Sequence, residues 1–477
     1  MKYLHAKITP SFMKHKIIVF IAIALSIYTL SITNSGCAQI GMPTGGDRDS
    51  LAPVLVRASP DLKATNVQGN RISLTFNEYV QVEDAFKNVL VTPVPKGNPE
   101  IRFNLKTVTV RLKDSLLPNT TYSINFGNSI RDVNENNIYK DFTYVFSTGD
   151  RIDSLQLSGK VILAETGKTD STLMVLLYRN ATDTSVTKNR PDYIARVNPE
   201  GNFTFKYLPE GNFRLYALKD GDGNKSYNSK TEMFGFLPDD KSITIAETDS
   251  TANVLLYAYE QEKPKPVGAT AAVPKPKLEK KLRYTGLPSK QDLLNPLTIT
   301  FNNPVTVDSQ KIYLTDTNYN RIPDVKFSID STDTQLTLAT DWKPETDYVL
   351  FVDKEIAKDS LGNTLTKGDT IRFVTKKTED YGRIVMRFTN LDLGKNPVLQ
   401  FLEGETVKYS YPITSLEWSN QRFPPGDYGI RILFDNNKNG KWDPGDFSKK
   451  LQPETTILLP QKLGIKANWD NEREIKL

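Results

Sequence analysis

The residues best placed to do chemistry are oxygen donors in two loops. Asp435-Asn-Asn-Lys-Asn-Gly-Lys-Trp-Asp-Pro-Gly-Asp446 puts side-chain oxygens at loop positions 1, 3, 5, 9 and 12, with Gly440 at position 6. Oxygen ligands at that spacing, with glycine at the sharp turn, can wrap a calcium ion. Asp435, Asn437, Asn439, Asp443 and Asp446 would supply side-chain oxygens and Lys441 its carbonyl. Position 12 is Asp rather than the longer Glu, and the flanks read as strands. The competing reading is therefore an Asn-Gly hairpin with Trp442 packed inward. A weaker version recurs in Asp220, Asp222 and Asn224, where Lys225 replaces the glycine and Thr231 stands at position 12. An ion in either loop would be structural Ca²⁺, stiffening the loop rather than running a reaction.

The other reactive groups are few. Cys37 is the only cysteine, and the two histidines, His5 and His15, lie upstream of it. A chain cut before Cys37 keeps one thiol and no histidine, which removes the commonest general base and metal ligand. No Gly-rich phosphate loop, nucleophile elbow or zinc signature is present. We therefore assign no catalytic residues and expect a protein that binds, spaces or scaffolds. A carboxylate pair working on a glycan needs no fixed sequence spacing, so a glycan-binding or glycan-degrading accessory role stays as an alternative. A calcium-dependent envelope assembly factor is another. Trp342, Trp418, Trp442 and Trp469 would serve the glycan role if they faced solvent, although Trp342 aligns with Leu116 of an earlier repeat and reads as core.

Residues 1–36 read as an export signal. Lys2, Lys7, Lys14 and Lys16 precede an apolar run from Ile17 to Ile32 with no acid. As a helix that run would cover roughly 24 Å, less than the ~30 Å hydrocarbon core of a bilayer, so it suits a signal peptide better than a span. Ser35-Gly36-Cys37 resembles the lipobox of bacterial lipoproteins, with Asn34 where that pattern has Leu. The resemblance implies lipid attachment at Cys37 and a membrane partner through that anchor. Ordinary cleavage nearby, leaving a free thiol, is the other reading. Losing the signal takes four lysines and lowers the formal charge from +5 to about +1. No basic stripe then remains, and no nucleic-acid partner is expected.

After a tether at 37–50, short alternating runs between turn residues predict an all-β chain of tandem β-sandwiches behind a signal-peptide helix. The runs fall into a two-part unit used twice. Ile72-Ser-Leu-Thr-Phe-Asn77 matches Leu297-Thr-Ile-Thr-Phe-Asn302, and Pro118-Asn-Thr-Thr-Tyr122 matches Pro344-Glu-Thr-Asp-Tyr348. Asp132 to Asn136 matches Asp359 to Asn363, and Phe146-Ser-Thr148 matches Phe373-Val-Thr375. These landmarks resemble the bacterial Ig-like domain of S-layer proteins and imply two such domains, 51–150 and 282–377. Leu157-Ser-Gly-Lys-Val161 and Leu208-Pro-Glu-Gly-Asn-Phe-Arg-Leu-Tyr216 resemble the carboxypeptidase-regulatory, transthyretin-like sandwich, implying one at 151–259. Phe423-Pro-Pro-Gly-Asp-Tyr-Gly-Ile-Arg431 repeats its last strand entry and implies a second at 378–477. Between the halves, the Pro- and Lys-rich stretch 260–281 reads as an extended linker.

The whole layout resembles Bacteroidetes-type Ig-like lipoproteins. That resemblance brings no activity. It implies a cell-envelope, outer-membrane location, facing the periplasm because Ala38-Gln39-Ile40 lacks the acids of surface-exported relatives. The expected mechanism is stiff modules in series that hold a distal face toward an envelope protein or glycan.

Overall fold

A computed structural model describes residues 10–33, 48–182, 184–246, 253–263 and 279–477. Strands dominate it, and one helix, Pro10–Thr33, stands before them. Among the described residues no helix is long and apolar enough to cross a membrane. Cys37, most of the tether and most of the linker lie outside the described residues.

The first module grows from its central strand. Arg71–Phe76 alternates so that Ile72, Leu74 and Phe76 are buried while Arg71, Ser73 and Thr75 face outward, the period of a half-buried strand. It pairs antiparallel with Leu55–Ser59 on one side and Thr107–Arg111 on the other, and Glu100–Asn104 completes that sheet. The facing sheet is Leu90–Thr92, Thr121–Gly127 and Phe142–Ser147. A short ladder, Val80–Val82 with Ile130–Asp132, closes one end. The inner faces of both sheets supply one hydrophobic core. The third module repeats every one of these pairings around Leu297–Phe301 and adds Lys290–Gln291 alongside Asp369–Thr375. This is the two-sheet packing of an Ig-like sandwich.

The recurring polar landmarks are structural, because each spends its side chain on backbone. Asn77 and Asn302 accept N–H bonds from Val54 and Arg283, pinning the edge strand. Thr148 and Thr375 donate to the Leu117 and Lys343 carbonyls and accept from the Thr120 and Thr346 amides. Buried Asp132 accepts from the amides of Glu135, Asn136 and Asn137, and Asp359 from Leu361 and Asn363. Such Asx turns satisfy amides that the strands cannot.

The second and fourth modules share a different topology. In each, the first strand (Leu155–Leu163 or Gly382–Thr389) pairs antiparallel with the fourth and parallel with the last. The fifth strand, Gly211–Leu218 or Gly426–Phe434, pairs with the second, sixth and seventh in both copies. One further pairing, Met233–Phe236 with Asn253–Glu260, joins the second module into a single curled sheet. Its absence leaves the fourth as two sheets.

The modules are not simply strung in series. Met174–Arg179 and Gly211–Leu218 of the second module are buried on both faces. Val175, Leu177, Phe213 and Leu215 fill that module's own core. Leu176, Tyr178, Tyr216 and Leu218 form a second apolar cluster on the opposite face, shared with Phe447 and Trp442 of the fourth module and Leu90 and Val94 of the first. A sheet apolar on both faces must be covered on both. Here one cover is built from a segment more than 200 residues away in sequence.

Candidate functional site

The oxygen-rich loop at 435–454 joins Gly426–Phe434 to Thr455–Leu458, two antiparallel neighbours. Twenty residues is long for a hairpin connection, and such loops usually have a use. The loop folds on its own side chains. Buried Asp435 accepts the amides of Asn439 at 3.1 Å and Gly440 at 2.6 Å. Asn437 accepts the Asn439 amide and Asn439 that of Lys441. Asn437 and Asn439 both point amide nitrogens at Asp443, 2.7 and 2.6 Å from its Oδ2. A cation at the centre would require both amides to turn their oxygens inward. Asp446 is spent elsewhere: it caps the short turn Phe447–Lys449 through Ser448 and pairs with Lys449 at 3.3 Å.

One further acid belongs to this loop and lacks a motif position. Glu454, buried, accepts the amides of Asn436 and Asp443, and its own carbonyl takes the Trp442 indole N–H at 2.7 Å. Burial pushes its carboxyl above the usual range, and the charges of Asp435 and Asp443 push the same way. The equivalent loop of the second module shows the same bracket. Asp220 accepts the amides of Gly223 and Lys225, and Glu232 accepts those of Asn228 and Ser229. One oxygen from each of Asp220, Asp222 and Glu232 lies within 4.8 Å of the other two. Burial, then Asp222, raises the Asp220 carboxyl. Asn224 donates to Asp222 through its side-chain amide and accepts the Ser226 amide. Three converging carboxylates are a donor set that suits a hard cation. Glu232 and Glu454 each immediately precede the returning strand, and that place in the fold, not spacing from the aspartate, is the signal that finds them.

The 435–454 loop also carries the contact between modules two and four. Phe447 sits with its ring centroid 5.1 Å from those of Phe234 and Phe236 and about 6 Å from Tyr216 and Tyr227. Lys450 stacks 3.9 Å over Phe447 and reaches buried Asp240 at 2.9 Å. Asp240 also takes Arg214 and the Tyr216 hydroxyl. Thr456 donates to the Ala164 carbonyl and Arg431 to that of Glu165. Between modules one and two, Arg190 donates to the Lys96 carbonyl and the Val94 amide to that of Asp192. A cleft of about 280 Å³ lies along that seam, lined by Phe86, Val94, Pro95, Arg190, Ile194 and Lys225 among others.

The tryptophans do not form a platform. Trp342 is core, and Trp418 packs against Phe401 and Tyr411. Trp442 lies in the seam, while Trp469 is 62% exposed beneath Lys466.

Residues 49–148 and 288–375 match the bacterial Ig-like domain family, so those two modules are Ig-like domains. No curated protein matches the chain significantly. Among solved structures, native alpha-2-macroglobulin from Escherichia coli is 15% identical with a TM-score of 0.19, over 38% of this chain and 70% of that one. The TIE protein of Bacillus anthracis is 11% identical with a TM-score of 0.17, over 91% and 76%. The S-layer protein SbsC is 13% identical with a TM-score of 0.15, over 89% and 54%. Likeness at these scores carries no functional reading.

Proposed function

We propose that this chain is a non-catalytic, lipid-anchored protein of the bacterial cell envelope, a spacer whose outer loops hold an envelope protein or glycan. The observation that carries this reading is the shared seam. Three modules are welded through one apolar cluster, which makes a stiff body rather than a flexible string. Stiffness suits positioning, and sandwich loops suit binding. Modules two and four are read as transthyretin-like, Cys37 as the acylated residue and the periplasmic face of the outer membrane as the location. Growth with radiolabelled palmitate tests the anchor. Label should enter the wild-type protein and be absent from Cys37→Ala. Equal labelling of the two overturns it.

A second reading, calcium in the 220–232 and 435–454 loops, is favoured by the Asp–Glu bracket common to both. Asp220, Asp222 and Glu232 would hold the ion in one loop, and Asp435, Asp443 and Glu454 with Asn437 and Asn439 in the other. The ion would neutralise carboxylates that now repel and fix the loop that presents Phe447. The glycan reading falls behind, because three of the four tryptophans are packed.

A further inference from the structure

The outer sheet face of the first module carries charge that its own fold does not use. Arg57, Arg71 and Arg111 are exposed on three adjacent strands, and Arg71 lies directly opposite Arg111. Like charges facing across a ladder are destabilising. Among the described residues none of the three makes an ion pair or side-chain hydrogen bond. Hydroxyls of Ser73 and Thr75 lie between Arg57 and Arg71 along a shallow depression. At one end the turn after Glu100–Asn104 lifts Leu105 into solvent at 65% exposure, while Phe103, paired with buried Val108, is half exposed on the other side of the sheet. Arg71, Tyr79, Phe103, Leu105 and Lys106 share one open groove of about 680 Å³.

The third module is an internal control for the arginines, because the same sheet is built there without them. By strand register, Arg57, Arg71 and Arg111 correspond to Thr285, Pro296 and Ala339. The hydroxyl ladder is retained, with Thr298 and Thr300 for Ser73 and Thr75. Phe103 corresponds to Ile329, itself exposed, and the turn carrying Leu105 and Lys106 is replaced by one carrying Asp330 and Asp333. The scaffold therefore needs none of the three arginines at these places. Guanidinium groups beside a protruding aliphatic side chain and a lysine are chemistry that suits an interface with anionic lipid: cations meet phosphates while the apolar tip enters the headgroup boundary.

We propose that this face and the Leu105–Lys106 turn form a second membrane contact, docking the first module on anionic headgroups. The inference rests on the reading that Cys37 anchors the chain for the membrane's proximity. No more than about 60 Å of extended chain separates Cys37 from Leu55.

The test uses a chain beginning at Ala38, which keeps every sheet and carries no lipid. It is co-sedimented with vesicles of phosphatidylglycerol in phosphatidylcholine, with phosphatidylcholine vesicles alone, and with immobilised heparin. The chain should bind the anionic vesicles, bind the neutral ones far less, and weaken as salt rises. Arg57→Gln/Arg71→Gln/Arg111→Gln should lose on the order of a hundredfold in affinity, at about one surface-charge contribution per arginine. Leu105→Ser should lose binding that salt does not already remove. All four side chains are exposed, so unchanged melting temperatures confirm that the variants fold. Equal binding by the triple variant, equal binding to neutral vesicles, or retention on heparin without vesicle binding overturns the proposal. Because Cys37 is absent here, loss of palmitate label in cells with vesicle binding intact would sink the anchor alone.

Discussion

At the scale of single residues, the two acids with the clearest environments have opposite signs. Burial tends to raise the Asp132 carboxyl, but amide bonds led by those of Glu135 and Asn137 outweigh it and hold the carboxyl below its ordinary 3.8. A lowered folded-state pKa means that the stabilisation is complete above 3.8 and is lost as pH falls through the lowered value. Asp132→Ala should cost about 2–3 kcal/mol at neutral pH, the worth of charge-assisted bonds to backbone. Thermal unfolding of the full chain should show this deficit shrinking in strong acid. Glu454 works the other way. Its raised carboxyl means that ionisation costs stability, so the cost grows as pH rises above the ordinary 4.5 and is complete above the raised value. Glu454→Gln should remove that slope. If the loop takes calcium, adding the ion near pH 7 should raise the melting temperature of the wild type, chelator should reverse the gain, and Glu454→Gln should show a smaller gain, keeping only what the 220–232 loop supplies. A wild type indifferent to calcium and chelator would end the metal reading for this loop.

At the scale of elements, the 435–454 loop is the connector whose loss should be felt farthest away. Phe447 fills a pocket of four rings on another module, and burying an aromatic there adds edge-to-face contacts to the area it removes from water. Phe447→Ala should cost about 3–5 kcal/mol. The cost should fall on docking rather than on the fourth module's own core, to which Phe447 does not belong. Calorimetry should then resolve two transitions where the wild type shows a joint one, and solution scattering should report a larger radius. A single transition at an unchanged temperature would mean that the seam does not couple the modules.

The same scale shows what could be read without coordinates. The Ig-like landmarks were legible because each motif residue bonds backbone brought near by the same sandwich: Thr148 to Leu117, Asn77 to Val54. The docking loop was not. Lys450 and Asp240 are 210 positions apart, and neither has a local signature. Glu232 and Glu454 were hidden for a related reason. Their loops differ in length, so the acids stand at unequal distances from Asp220 and Asp435, and only the returning strand aligns them. Val175-Leu-Leu-Tyr178 did carry a signal, since an unbroken apolar run implies burial on both faces. It could not say which element provides the second cover.

At the scale of the whole molecule, the second module is the hub and the duplication is asymmetric. Both halves repeat an Ig-like domain followed by the second topology, but the second module alone joins its strands into one sheet apolar on both sides. That sheet needs the fourth module, whereas the third keeps a core completed by Tyr381 just beyond its end, to which module two contributes nothing. A chain ending at Lys263 should therefore expose Tyr216, Tyr227, Phe234 and Phe236 together. A contiguous aromatic patch of that kind drives association. Size-exclusion chromatography should find this half-chain self-associating and binding a hydrophobic dye, while residues 282–381, which keep Tyr381 in the third module's core, stay monomeric. Adding residues 378–477 in trans should dissolve the association and form a one-to-one complex. Phe447→Ala in the added piece should abolish the rescue, because the ring that closes the patch is then missing. A half-chain that remains monomeric and dye-silent would show that the seam is too weak to define the body, and the stiff-spacer mechanism would fail with it.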